Sequence, residues 1–117
     1  MTDVTGYGLY GHSWEMSERA EATFEFDLDA LPLYDGAADA LRRGVRTGGD
    51  PRNREHVERH VQIRAGVDVH VAAIGYDPQT SGGLLASVDA TAVAELTTRG
   101  FTAIGRVVAG GSRMVVG

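Results

Sequence analysis

The chain has 117 residues with 43% apolar content, 16 Gly and a formal charge of −5, enough for one compact domain with a modest core. It contains no Cys, and all 11 of its basic residues are Arg. It therefore offers no thiol nucleophile, thiolate metal site, disulfide, Schiff-base lysine or phosphate-loop lysine. The longest clean apolar run, residues 71–74, falls far short of the roughly 20 residues of a membrane span, and no basic-then-apolar signal pattern opens the chain. A soluble cytoplasmic protein is the expectation.

In chain order, the first motif is Thr2-Asp3-Val4-Thr5-Gly6-Tyr7-Gly8-Leu9-Tyr10-Gly11-His12, leading into a helix through Trp14, Met16 and Ala20 with Thr5 as its expected N-cap. Phe24, Phe26 and Leu28 alternate with Glu25 and Asp27, the period of a half-buried strand, which Leu31-Pro32 ends. A short helix over residues 36–43 follows, then a loop over 47–53, then a helix over 54–60. Val67, Val69, Val71 and Ala73 alternate with Asp68, His70 and Ala72, predicting a second strand before the turn dipeptide Asp77-Pro78. Residues 84–88 read as a third strand. Asp89 then caps a helix in which Ala92, Val93 and Leu96 share a face and which ends at Gly100. Residues 101–108 return as a strand, and Gly110-Gly111 predicts a tight hairpin pairing it with residues 113–116. No repeat or low-complexity tract is visible, and the pattern is that of an α+β fold, a mixed or antiparallel sheet layered with helices.

Charge is uneven. Residues 42–64 hold Arg42, Arg43, Arg46, Arg52, Arg54, Arg59 and Arg64 against Asp50, Glu55 and Glu58, a surplus of four in a chain that is acidic elsewhere. Such a stretch can face phosphate, but a solvated helix with Glu55 paired to Arg59 at i,i+4 is the preferred reading. An acidic chain with few aromatics argues against a dedicated nucleic-acid binder. His56 and His60 share a helix face at i,i+4, but with no third ligand nearby zinc is disfavoured. His12 and His70 have no Ser or Asp placed to activate them and read as packing or hydrogen-bonding residues.

Two segments carry candidate chemistry. Asp3, Thr5, Gly6 and Gly8 place a carboxylate and two glycines at a helix start, where free N–H groups and the helix dipole favour phosphate and where Asp3 can hold Mg²⁺. A structural turn with Asp3 as a local cap fits the same residues. Asp77-Pro78-Gln79-Thr80-Ser81-Gly82-Gly83 joins a rigid turn to two hydroxyls and two glycines, a stretch whose consecutive N–H groups can form an anion-binding nest. A strand-entry loop whose hydroxyls satisfy their own backbone fits it too.

Both strings, the second continuing into Leu84-Leu85, closely resemble signature stretches in the C-terminal half of the selenophosphate synthetase (selenide, water dikinase) family. Leu31-Pro32, the helix containing Gly36, Gly48-Gly49 with Arg52-Asn53, and the closing Gly105-Arg106-Val107-Val108 match in the same order, so the resemblance covers essentially the whole chain. It implies an ATP-dependent phosphotransferase of the aminoimidazole ribonucleotide synthetase superfamily, with a partly ferredoxin-like C-terminal domain spanning residues 1–117. It also implies that the Cys or selenocysteine, a catalytic Lys, most metal-binding aspartates and the dimer interface belong to an absent N-terminal domain, supplied in cis or in trans. On that reading the chain has no catalytic residue and is not competent alone. Asp3 would be its Mg²⁺ ligand, and Thr5, Gly6, Gly8, Thr80, Ser81, Gly82 and Gly83 would line the ATP phosphate wall. Tyr7 stands where the family has Phe, and Asp50-Pro51 replaces a Thr-containing turn, adding a negative charge. Two alternatives remain open: a stand-alone anion- or partner-binding module, and a diverged superfamily enzyme with another substrate. Self-association is also left open.

Overall fold

The computed structural model describes residues 1–117. The elements run β1 (Thr2–Asp3), α1 (Gly8–Ala20), β2 (Ala22–Phe26), α2 (Ala37–Arg42), α3 (Asp50–Val57), β3 (Val61–Ile63), α4 (Val69–Ala72), β4 (Leu84–Leu85), α5 (Val93–Thr98), β5 (Gly105–Ala109) and β6 (Arg113–Val116). Four strands form one mixed sheet in the order β3-β6-β2-β5, and β1 pairs with β4 in a separate two-stranded ladder. This is the expected α+β arrangement of a mixed sheet layered with helices. None of the helices is long and apolar enough to cross a membrane.

The sheet is held by the alternation of β2. Phe24 and Phe26 stand opposite Met114 and Val116 of β6, which in turn stand opposite Val61 and Ile63 of β3, so one face is continuously apolar. That face packs on Tyr10, Leu41, Val57, Val71, Ala72, Ala73 and Tyr76 from the helical layer. Met114 and Tyr10 are fully buried at its centre, and truncating Met114 to Ala would cost about 2–5 kcal/mol. On the opposite face, Glu25 of β2 accepts from Arg106 Nε of β5 at 2.6 Å and from Arg64 Nη2 beyond β3 at 2.9 Å. The hydrogen bond from Arg106 holds the Glu25 carboxyl below its ordinary range.

Helix α1 lies close to the sheet because its inward positions are small. Ser17 Oγ donates to the Ala22 carbonyl at 2.6 Å and Ser13 Oγ to the Leu9 carbonyl at 2.6 Å, satisfying hydroxyls that are otherwise fully buried. Tyr10 projects from this helix onto Tyr76, edge to face at a centroid separation of 5.0 Å, and donates its hydroxyl to the Ala72 carbonyl at 2.8 Å. Burial raises the Tyr10 hydroxyl far above its ordinary pKa, so it remains a donor there.

Several expectations are corrected. Residues 67–73 form no strand: Asp68 caps α4, accepting from His70 N at 3.0 Å and Val71 N at 3.3 Å, and a 3₁₀ turn over Ala73–Tyr76 continues it. Arg42 Nε bonds the same carboxylate at 2.9 Å, and that contact holds Asp68 below its usual range. A capped turn that buries Val71, Ala72 and Ala73 together overrides the two-residue alternation. The helix expected over 54–60 starts earlier, at Asp50, because Pro51 favours the first turn of a helix, and it ends in a 3₁₀ turn over Glu58–His60. The short strand β3 was not foreseen. The strand expected over 84–88 is paired only at Leu84 and Leu85, and that over 101–108 begins at Gly105.

The Gly110-Gly111 hairpin does not form. β5 and β6 flank β2 on opposite sides, antiparallel and parallel to it respectively, so the connection passes over the end of β2. Gly110, at φ 150°, makes that crossing, and Thr23 Oγ1 ties it down by donating to the Gly111 carbonyl at 2.8 Å. The expected pairing of Glu55 with Arg59 is also absent, since Arg59 Nε donates to His60 Nε2 at 3.0 Å.

Candidate functional site

Three segments distant in sequence converge beside the N-terminus of α1: residues 2–8, 47–53 and 77–85. Asp3 stands opposite Leu84 in the β1–β4 ladder, and Val4 N donates to the Gly83 carbonyl at 2.9 Å. Gln79 N donates to the Thr5 carbonyl at 3.0 Å, closing the seam from the other end. The two candidate motifs are therefore one structural unit.

Asn53 locks this unit to the helical layer. Its buried side-chain amide donates to the Gly6 carbonyl at 2.8 Å and to the Tyr76 carbonyl at 2.8 Å, one from each motif's flank. Thr47 Oγ1 donates to Asp77 Oδ1 at 2.9 Å, and Gln79 Nε2 donates to Asp77 Oδ2 at 3.2 Å. The Asp77 carboxylate thus organises the turn from within.

Two glycines are required by close approach. A Cβ on Gly82 would sit 2.5 Å from the Val4 carbonyl oxygen and 2.7 Å from Gln79 Cβ. Gly8, at φ 71°, would place one 2.8 Å from the Gly75 carbonyl oxygen and 2.9 Å from that of Asp77. The N–H of Gly8 is already donated to the Thr5 carbonyl at 3.0 Å, and Gly8 is buried, so its part is to let the helix start approach the 75–77 turn.

The remaining predicted residues lie open. Thr5, Gly6, Thr80, Ser81, Gly82 and Gly83 are exposed, and the four N–H groups from Thr80 to Gly83 donate to no acceptor in the chain. Thr5 does not cap α1. The helix begins one residue after Tyr7, which caps it without a side-chain bond, and the Thr5 hydroxyl instead meets His12 Nε2 at 3.0 Å. Asp3 projects an exposed carboxylate from the ladder with no ion-pair partner. No group of three or more His, Cys, Asp or Glu side chains gathers in a metal-binding cluster, so Asp3 can contribute a single hard oxygen ligand.

The charge of Asp50 is not displayed at this surface. Its side chain is 6% exposed and turned to Arg54 Nε at 3.6 Å, and the Arg54 guanidinium lies 4.2 Å over the Tyr76 ring. Asp50 Oδ2 has no hydrogen-bond partner. His56 and His60 are occupied by aromatic rings: His56 lies 6.1 Å from Tyr7, and His60 stacks on Trp14 at 3.6 Å. His70 is exposed on α4.

Sequence reasoning missed Asn53, Thr47 and His12 as parts of this site. Asn53 carried a signal only as a residue of the Gly-Gly and Arg-Asn match, and the two carbonyls it bridges cannot be read from spacing.

The geometry defines an α+β domain that presents a Gly-Gly loop with free N–H donors beside a helix start and one exposed carboxylate. The chain belongs to the AIR synthase related protein, C-terminal domain family, which matches it over residues 1–117. Among similar proteins is the selenide, water dikinase of Caldanaerobacter subterraneus subsp. tengcongensis, 43% identical over 98 residues, covering 84% of this chain and 28% of that protein. The selenide, water dikinase of Clostridioides difficile is 38% identical over 96 residues, 82% of this chain and 28% of that protein. That of Geobacter metallireducens is 46% identical over 84 residues, 72% of this chain and 24% of that protein. The chain spans about a quarter of the length of these relatives.

Proposed function

We propose that this chain forms the phosphate-facing wall of the Mg²⁺–ATP cleft of a selenide, water dikinase, the ATP-dependent phosphotransferase that turns selenide, ATP and water into selenophosphate, AMP and phosphate. The observation that carries the reading is the seam between residues 2–8 and 77–85: Asp3 stands opposite Leu84 in the β1–β4 ladder, and the loop leading into that ladder, residues 80–83, holds four N–H donors that have no acceptor in the chain. That the relatives are named selenide, water dikinase supports this reading of the reaction.

Each residue then has a physical task. The N–H groups of Thr80, Ser81, Gly82 and Gly83, with the hydroxyls of Thr5, Thr80 and Ser81, would bind phosphate oxygens, and Gly6 would keep the approach clear of side chains. Gly8 would shape the wall by holding the helix start against the 75–77 turn. Asp3 would give one oxygen to Mg²⁺, whose remaining positions would go to water, phosphate oxygens and a second domain. The ion would neutralise phosphate charge during transfer. With no Cys and no Lys, the chain cannot supply the selenium-handling group or a lysine at the transferring phosphoryl, so an N-terminal catalytic domain in cis or in trans completes the enzyme.

Titrating the chain with inorganic phosphate while following amide NMR shifts tests the wall. Saturable shifts at residues 80–83 and 5–8 are expected. Shifts confined to the arginines between 42 and 64 would overturn the assignment.

A further inference from the structure

We propose that His12 is a positioning residue of this wall: its Nε2–H donates to Thr5 Oγ1 and so turns the Thr5 hydroxyl hydrogen outward, as a fixed donor to a phosphate oxygen. The inference rests on the phosphate-binding reading and adds to it the residue that orients one of its side chains.

His12 is 8% exposed, and its two ring nitrogens have different surroundings. Nε2 lies 3.0 Å from Thr5 Oγ1, while Nδ1 is buried with no partner. A neutral imidazole carries its proton on one nitrogen only. If Nδ1 held it, a buried N–H would be left unpaired, which native structures avoid. With the proton on Nε2, the buried atom is a bare acceptor and the proton makes the one bond available.

The consequence falls on Thr5. Its hydroxyl has one partner in the chain, His12. If it donated to Nε2, its hydrogen would point inward and the wall would meet an anion with a lone pair. As the acceptor from Nε2–H, the hydroxyl of this exposed residue has its own hydrogen free to face the opening beside Gly6, where a Cβ would meet nothing within 4 Å. The Thr5 carbonyl is already engaged by Gly8 N and Gln79 N, so the backbone at this position is fixed on both sides. Tyr7, with its ring edge-on to His12 at a centroid separation of 5.7 Å, helps hold the imidazole plane. What was expected to be a helix-capping threonine is instead a hydroxyl whose direction is set by a buried histidine.

Two measurements on this chain decide the matter. A long-range ¹⁵N–¹H spectrum reports which ring nitrogen of His12 is protonated in the unliganded chain, and the Nε2–H pattern is expected. Phosphate titration of His12→Phe, with amide dispersion as the check on folding, should show binding about three- to tenfold weaker at residues 80–83, the range of one hydrogen bond. Thr5→Val, at an exposed position, should weaken it at least as much, and Thr5→Ser should restore it. An Nδ1–H spectrum overturns the proposal, as does unchanged phosphate binding in both His12→Phe and Thr5→Val. Absence of any phosphate response in the parent chain overturns the wall itself and the proposal with it, whereas the wrong tautomer alongside normal phosphate binding removes only the role of His12.

Discussion

Asn53 shows how one side chain can decide the shape of a site without facing a ligand. Its Nδ2 serves the Gly6 and Tyr76 carbonyls together, so Asn53→Asp would set a carboxylate against two carbonyl oxygens in a buried position. A loss of about 3 kcal/mol or more is expected, against about 1–3 for Asn53→Ala, read from urea denaturation midpoints. Gly82 and Gly6 make a second contrast. Gly82→Ala pushes a methyl onto the Val4 carbonyl and should cost about 1–3 kcal/mol, while Gly6→Ala, with open space and no positive φ, should change stability little. Equal effects of the two substitutions would show that the seam yields freely at Gly82. At this scale the sequence was informative about residue types and silent about partners. The glycines and hydroxyls stood out in their motifs, but Asn53, Thr47 and His12 act through bonds that span 47, 30 and 7 positions.

At the scale of elements, the join between α1 and the turn that follows α3 depends on proton binding. His60 stacks on Trp14 at an interplanar angle of 8° and accepts from Arg59 Nε, so the chain favours its neutral form. Its pKa is lowered from 6.5, first by burial and next by Arg59, with His56 adding to the effect and Glu18 opposing it. A base with a lowered pKa in the folded state contributes stability that is present above its unfolded pKa and is lost as pH falls through the folded one. Unfolding free energy should therefore decrease as pH drops below about 6.5, ahead of any carboxylate titration, and His60→Gln should flatten that limb. The fluorescence of Trp14, the only tryptophan, follows the same titration, and a pH-independent signal would remove His60 from the linkage. Elements were legible where the signal was local. The alternation of Phe24 and Phe26 marked β2, and Asp89 marked the start of the turn leading into α5. Legibility failed where tertiary contact decided: Val67 to Ala73 alternate like a strand, yet the Asp68 cap and burial against Tyr10 make a helix. The hairpin at Gly110-Gly111 failed for a related reason, because β2 takes the place between the two strands that a tight turn would have joined.

For the molecule as a whole, the proposed function makes this wall one half of a cleft whose other half a second domain would supply. In a protein that joins this chain to an N-terminal catalytic domain, Asp3→Asn should abolish selenophosphate formation while leaving the thermal unfolding of this domain unchanged, since Asn keeps the size and gives up the charge a hard cation prefers. Near-normal turnover at ordinary Mg²⁺ would remove Asp3 from the metal shell. The strand order also constrains how the chain acquires its shape. β3 pairs only with β6, and the apolar face of β2 is completed by Met114 and Val116, some ninety positions away. The centre of the sheet thus cannot close until nearly the whole chain has been synthesised, and the loop closed in doing so is close to the largest that 117 residues allow. Such long-range pairing is slow to form, so refolding is expected nearer the millisecond-to-second range of mixed and β-rich domains than the microseconds of helical bundles. Stopped-flow refolding followed by Trp14 measures this, and Met114→Ala should act mainly on the unfolding rate if β6 docks last.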